Sequence, residues 1–305
     1  MRAGLGSKVL IDKQKILTAL MPIAALVLAM VSIQTGAALA LSLFPKIGAQ
    51  GAVGLRVGLA ALILLAIHRP DLRPTRTALA VILPYGLALG LMNLAFYMAL
   101  RTVPLGVAVA VEFSGPLAVA ALSQRGRWDL LWLGLATAGL LALAPWGRAG
   151  AAADPVGLLL ALTAGLFWAL YIAFGQMAAR VGGGVTASGM TIAALVTVPA
   201  GLIHAGARLF DPALLPLGLV VAVLSSALPY SLEIYGLGRL PKATFSTLMS
   251  LEPAIGALSG ALLLGQHLTL REDAAIAAIV AASLGAAATF AASRADDLPL
   301  SFGLD

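Results

Sequence analysis

The stretch FYMALRTVPLG at Phe96–Gly106, followed by GP at Gly115–Pro116, returns in outline as EIYGLGRLPKA at Glu233–Ala243, followed by EP at Glu252–Pro253. Each copy has an arginine two or three residues ahead of a proline and a second proline twelve positions later. The pairs Pro104/Pro241 and Pro116/Pro253 share one offset of 137 residues, and AAL at 60–62 lies over AAL at 193–195 at a similar one. Several matches near one offset read as a chain built from two related halves.

Composition says what each half is. The 305 residues are 61% hydrophobic and 10% charged, with a mean hydropathy of +1.00, whereas soluble domains are about 25% charged. A water-facing globule is excluded. Crossing a hydrocarbon layer of about 30 Å takes about 20 apolar residues per helix. Charges, prolines and glycines cut the sequence into ten such runs: Thr18–Phe44, Ile47–Ile67, Thr77–Leu100, Val103–Leu122, Trp128–Trp146, Pro155–Ala179, Val185–Gly206, Pro212–Gly238, Pro241–Leu264 and Asp273–Ala292. They are continuously apolar, without the alternation of a membrane strand, so helices are expected. Lys8, Lys13 and Lys15 ahead of the charge-free Ile16–Pro45 resemble a signal peptide, but the run is too long and too many follow it; it is read as the first transmembrane helix.

The expected fold is therefore an all-α integral membrane protein of ten transmembrane helices in two five-helix repeats. Because five is odd, the second repeat enters the membrane inverted, the arrangement that gives two near-equivalent states open to opposite sides. The boundaries are a cytoplasmic segment 1–17, a first repeat 18–147, a connecting loop 148–154, a second repeat 155–293 and a cytoplasmic tail 294–305. Thirteen Lys and Arg fall in the N-terminus, the C-tail and the loops on their side, five in the loops opposite. The positive-inside rule then puts both termini in the cytoplasm.

The net charge of +6 is spread singly between apolar runs and forms no face for a phosphate backbone, so no nucleic-acid partner is expected. There is no cysteine, hence no thiolate chemistry. His68, His204 and His267 lie at helix edges, and no HExxH, GxSxG or phosphate-cradling motif occurs. Neither an enzyme, a metal site nor a cofactor is expected. An intramembrane lipid enzyme would need paired aspartates or clustered histidines. Small-residue spacings at Gly54/Gly58, Gly86/Gly90 and Gly256/Gly260 are helix-packing contacts.

Ionisable residues within the runs carry the functional signal, because each is unfavourable in hydrocarbon unless paired or facing a wet cavity. Glu112, Glu252, Glu233 and Arg56 are such residues, as proton-carrying or structural charges. Glu112 is the first candidate for a substrate ammonium or a proton, with pairing to Arg56 as the alternative. Glu233, near a helix end, could extend its tip to water, and Arg56 could tie helices together through carbonyls. Pro116 frees the carbonyl of Glu112, and Pro253 that of Met249, because proline has no N–H to give the residue four earlier. Pro104, Pro116, Pro241 and Pro253 are the candidate hinges. Ser32, Gln34, Asn93, Tyr97, Ser114, Trp168, Tyr171 and Tyr230 lie at similar depth. Together they offer acceptors for an ammonium and donors for a carboxylate, the needs of an amino-acid zwitterion.

MVSIQTGAALALSLFP at Met30–Pro45, VPLGVAVAVEFSGPLAVAALS at Val103–Ser123 and SSALPYSLEIYGLGRLPKATFSTLMSLEPAIGALSGALLLGQ at Ser225–Gln266 resemble the threonine/homoserine exporters of the EamA-type branch of the drug/metabolite transporter superfamily. The resemblance spans nearly the whole chain. It implies a ten-helix basket, a cavity lined mainly by helices 1, 3, 4, 6, 8 and 9, and efflux of small neutral amino acids across the bacterial inner membrane. The partners implied are an amino-acid substrate and the lipid bilayer, with a proton as the candidate coupling ion. Oligomeric state is left open. A broader facilitator or exporter that includes aromatic amino acids or drugs is the alternative, since the superfamily holds aromatic amino-acid exporters. Gln266 departs from the family, which commonly has an acidic residue after LLLG.

Overall fold

The computed structural model describes residues 3–70, 75–103, 105–123, 126–143, 154–182, 184–255 and 269–296, and the described residues contain helices and no strand. Helix α1 runs Ala3–Ala40, and one 3₁₀ turn (Leu41–Leu43) joins it to α2 (Phe44–His68). Pro45 stands in the first turn of α2, where its missing N–H costs no hydrogen bond. The helical backbone thus starts at Ala3 and absorbs most of the segment 1–17 that charge had set apart.

Thr75 caps α3 (Arg76–Ala99), its hydroxyl accepting from the Ala78 N–H at 3.2 Å. Next come α4 (Leu105–Glu112), α5 (Ser114–Leu122) and α6 (Arg127–Leu143). Asp154 caps α7 (Pro155–Ala178) by accepting from the Val156 and Gly157 N–H groups. The Thr102 hydroxyl, with those two N–H groups, holds the Asp154 carboxyl below its usual range. Helix α8 (Val185–Ala205) gives way to 3₁₀ turns at Gly206–Phe210 and Pro212–Leu214. Then α9 (Leu215–Ala222), a π turn at Val223–Ala227 and α10 (Leu228–Leu237) form one continuous rod. Helix α11 (Lys242–Met249) is followed by helical residues 251–255, and α12 (Leu270–Asp296) closes the chain.

Among the described residues, seven segments are long and apolar enough to span a membrane: Leu20–Ala37, Phe44–His68, Arg76–Ala99, Pro155–Ala178, Val185–Phe210, Pro212–Leu237 and Asp273–Phe290. The other three expected runs differ in kind. Val103–Leu122 is divided at Phe113, Trp128–Trp146 is described as the 17-residue α6, and Pro241–Leu264 is described only to residue 255. Pro104, Gly256, Gly260, Gln266, His267, most of the loop 148–154 and residues 297–305 lie outside the described residues.

Helix α2 packs on α8, α3 on both α7 and α8, α1 on α10, and α6 on α12. Small residues allow this closeness: a Cβ on Gly54 would stand 2.9 Å from the Thr197 carbonyl oxygen, and one on Gly90 2.9 Å from the Ala193 Cα. Without water to drive apolar surfaces together inside a bilayer, such contact is what holds helices in place. Across α6 and α12 the Trp132 Nε1–H donates to the Thr289 hydroxyl at 2.9 Å. The polarity is inside out. Leu62, Ile67, Leu122, Leu195 and Ile203 are exposed, while Arg56, Asn93, Glu112, Thr197, Ser225 and Glu233 are buried. An apolar coat of this extent matches lipid, not water.

Candidate functional site

Pro116 cannot donate to the Glu112 carbonyl, and the helix breaks between them at Phe113. The carbonyl so released faces α7, where a Cβ on Gly165 would lie 2.7 Å from it. In return, a Cβ on Gly115 would overlap the carbonyl oxygen of Gly165. Two glycines therefore seat α5 against α7 backbone to backbone. Ser250 marks a similar break after α11, three residues ahead of Pro253, with its hydroxyl donating to the Thr247 carbonyl at 2.6 Å.

Two carboxyl groups, Glu112 and Glu252, stand beside these breaks in the chain, and a third, Glu233, interacts with Glu252. Glu252 is within Coulombic range of both Glu112 and Glu233, and among the described residues no cation forms an ion pair with any of the three. Glu112 is 7% exposed and Glu233 2%. The Tyr171 hydroxyl donates to Glu233 Oε2 at 2.9 Å. Glu233 therefore does not extend to water as its place near a helix end had suggested, because α7 covers it and Tyr171 supplies a donor in water's stead. Tyr171→Phe is expected to leave that buried carboxyl without its hydrogen bond and to lower stability by about 1.5–3 kcal/mol, read from denaturant unfolding in micelles.

Arg56 lies on the other side of Tyr230. Its guanidinium donates from Nη1 to the Ser225 carbonyl at 2.7 Å and to the Ser225 hydroxyl at 3.4 Å, and from Nη2 to Asn93 Oδ1. It also stands 5.0 Å from the centre of the Tyr97 ring, a cation–π contact. The alternative of a pair with Glu112 is not what forms; carbonyl and amide oxygens hold the charge. Asn93 Nδ2 donates to the Leu89 carbonyl at 2.8 Å and to the Tyr230 hydroxyl at 2.9 Å. Tyr230 meets the face of Tyr171 edge-on at 5.8 Å, and Tyr171 stacks on Tyr85 at 5.4 Å. A polar and aromatic chain thus runs from Arg56 through Asn93, Tyr230 and Tyr171 to Glu233.

The remaining expected residues divide. Gln34 donates to the backbone carbonyl of Glu252 at 3.3 Å, so α1 reaches the carboxyl cluster. Trp168 packs edge-on to Phe113 at 4.8 Å, beside the break in α4/α5. Ser114 is exposed at the start of α5. Pro241 stands as the N-cap of α11, and Pro104 is outside the described residues.

Ser225 was missed, although its signal was present. Pro229 stands four residues after Ser225 and frees its carbonyl by the rule already applied to Pro116. The π turn at Val223–Ala227, where the Leu228 N–H bonds to the Val223 carbonyl, leaves a second acceptor at Leu224, which takes the Ser32 hydroxyl at 2.6 Å. Both freed oxygens find donors on neighbouring helices, α1 and α2.

An apolar exterior around buried charges and amides, with helices broken beside carboxyl groups, describes a multi-pass membrane carrier of a small polar solute. The EamA-like transporter family matches residues 155–288. The threonine/homoserine exporter RhtA of Salmonella typhimurium (strain LT2) is 51% identical over 271 residues, covering 88% of this chain and 92% of that protein. RhtA of Escherichia coli (strain K12) is 50% identical with the same coverage. One chain known from a crystal structure shares the fold, with a TM-score of 0.67 at 17% identity over 93% of this chain and 99% of that one. The protein belongs to the EamA-like transporter family; it is a transporter and not an enzyme.

Proposed function

We propose that this protein exports threonine and homoserine across the bacterial inner membrane by alternating access, with both termini in the cytoplasm. The likeness to RhtA over most of both chains carries this reading. Ten spanning helices in two inverted halves, 18–147 and 155–293, are part of it, with 1–17, 148–154 and 294–305 outside the halves. Helices α4 (Leu105–Glu112) and α11 (Lys242–Met249) have the same length and differ by the offset of 137 residues seen in the prolines. Asn93 and Tyr230, which share a hydrogen bond, are also 137 residues apart. Exchanging the halves carries the α3/α7 contact onto that of α1 with α10, and leaves α2/α8 and α6/α12 unchanged. All three observations support a two-fold relation.

In this reading the substrate ammonium is received by Glu112 and Glu252, beside the breaks at Phe113 and Ser250. Gln34, Asn93, Tyr97, Ser114, Trp168, Tyr171 and Tyr230 supply the polar and aromatic wall. Pro104, Pro116, Pro241 and Pro253 allow the helices to bend, and Glu112 is the first group to exchange a proton for substrate. The test is counterflow: proteoliposomes loaded with unlabelled threonine should accumulate labelled threonine without an ion gradient, and homoserine should compete. Uptake no greater than that of protein-free liposomes, with folded protein, would remove both amino acids from the reading.

A further inference from the structure

We propose that Arg56 is the receptor for the substrate's carboxylate, taken on the edge of the guanidinium formed by Nε and Nη2. The inference rests on the reading of the chain as an amino-acid carrier and names the group within it that reads the acid end of the zwitterion. Three observations carry it.

First, Arg56 is a buried cation with no carboxylate on it: it is 4% exposed, and its partners are Ser225 and Asn93. Buried charges are ordinarily paired with an opposite charge, and within a bilayer an ionisable residue held only by neutral groups marks a functional site. Second, the donor inventory is incomplete in a directional way. Nη1 is occupied by Ser225, Nη2 by the single oxygen of Asn93, and Nε is buried with no partner. Nε and Nη2 form one planar fork whose natural acceptor is the pair of oxygens of a carboxylate. An amide has one oxygen and can fill at most half of it. Third, the surroundings hold a zwitterion in one direction. Tyr230, bonded to Asn93, is within Coulombic range of Arg56 and of Glu112, which stands with Glu252 in the carboxyl cluster. A substrate with its ammonium on that cluster and its carboxylate displacing Asn93 from the Arg56 fork satisfies both charges. Asn93 released from Nη2 keeps its bonds to Leu89 and Tyr230 through Nδ2.

The experiment compares threonine with threoninamide, which keeps the ammonium and side chain and replaces the carboxylate by a neutral amide. The readout is the concentration of each that half-maximally raises the thermal stability of the purified protein. In the wild type, threonine should act at concentrations on the order of 10- to 100-fold lower, the range of hydrogen bonds to a charged group. In Arg56→Gln that preference should fall to near unity through loss of threonine binding, with threoninamide little changed. A merely structural Arg56 would weaken both ligands together and leave the ratio at its wild-type value, which would overturn the proposal. So would a wild type that does not distinguish the two. Should Arg56→Gln fail to fold, Asn93→Asp carries the test: it places a carboxylate of the protein on the fork, so threonine should weaken selectively, and an unchanged ratio refutes the assignment. Absence of any stabilisation by threonine in the wild type would instead strike at the transport reading itself.

Discussion

Gly115→Val is expected to leave little folded protein, with a loss of about 3 kcal/mol or more. The new Cβ would overlap the carbonyl oxygen of Gly165, which belongs to backbone and not to a flexible tip, so α5 would have to leave α7. Nothing else in the contact can give, because the facing residue is itself a glycine whose Cβ would stand 2.7 Å from the Glu112 carbonyl. Gly134, in α6, is the control: no atom lies within 4 Å of a Cβ built there, so Gly134→Ala should hold stability or raise it by up to about 1 kcal/mol through helix propensity. Yield of monodisperse protein and its unfolding midpoint in micelles decide both. A Gly115→Val variant as stable as the wild type would show that the close approach of α5 and α7 does not form.

Glu112→Gln is expected to reduce threonine counterflow on the order of 100-fold while the protein stays folded. The amide keeps the size of the carboxyl, and no hydrogen bond from a described residue depends on the charge, so stability should change little. What is lost is the negative charge beside the broken helix, which in the proposed cycle receives the ammonium together with Glu252. Glu233→Gln should behave differently, because its partner is the Tyr171 hydroxyl and not the substrate. Initial rates at saturating internal threonine separate the two. Wild-type rates for Glu112→Gln would take Glu112 out of the transport cycle.

The architecture was legible in the sequence wherever a rule acts over many residues. Apolar runs of spanning length needed no knowledge of contacts to mark a helical membrane protein. Helix α1 is helical from Ala3 while its spanning part starts at Leu20, because lysines are compatible with a helix even where they end a hydrophobic span. Glu112 stood out as a carboxyl inside an apolar run, and the helix division beside it was legible through Pro116, whose effect is local and chemical. Ser225 was overlooked because a serine and a backbone carbonyl carry no signature until Pro229 is read with the same rule. The partners of Arg56 were beyond reach. Its nearest acceptors come from residues 37 and 169 positions away, and only packing brings them together.

The π turn at Val223–Ala227 sets the rotational phase of everything that follows it in the rod. An α-helix advances about 100° per residue, and a π turn is an α-helix carrying one residue too many. Removing one residue from 223–227 would restore an unbroken helix and still fill the membrane. It would also swing Tyr230 and Glu233 by about that angle, away from Asn93 and Tyr171. The surplus residue thus acts as an angular spacer: chain length, more than the identity of any side chain in the turn, decides that one rod serves the arginine with its first half and the tyrosines with its second.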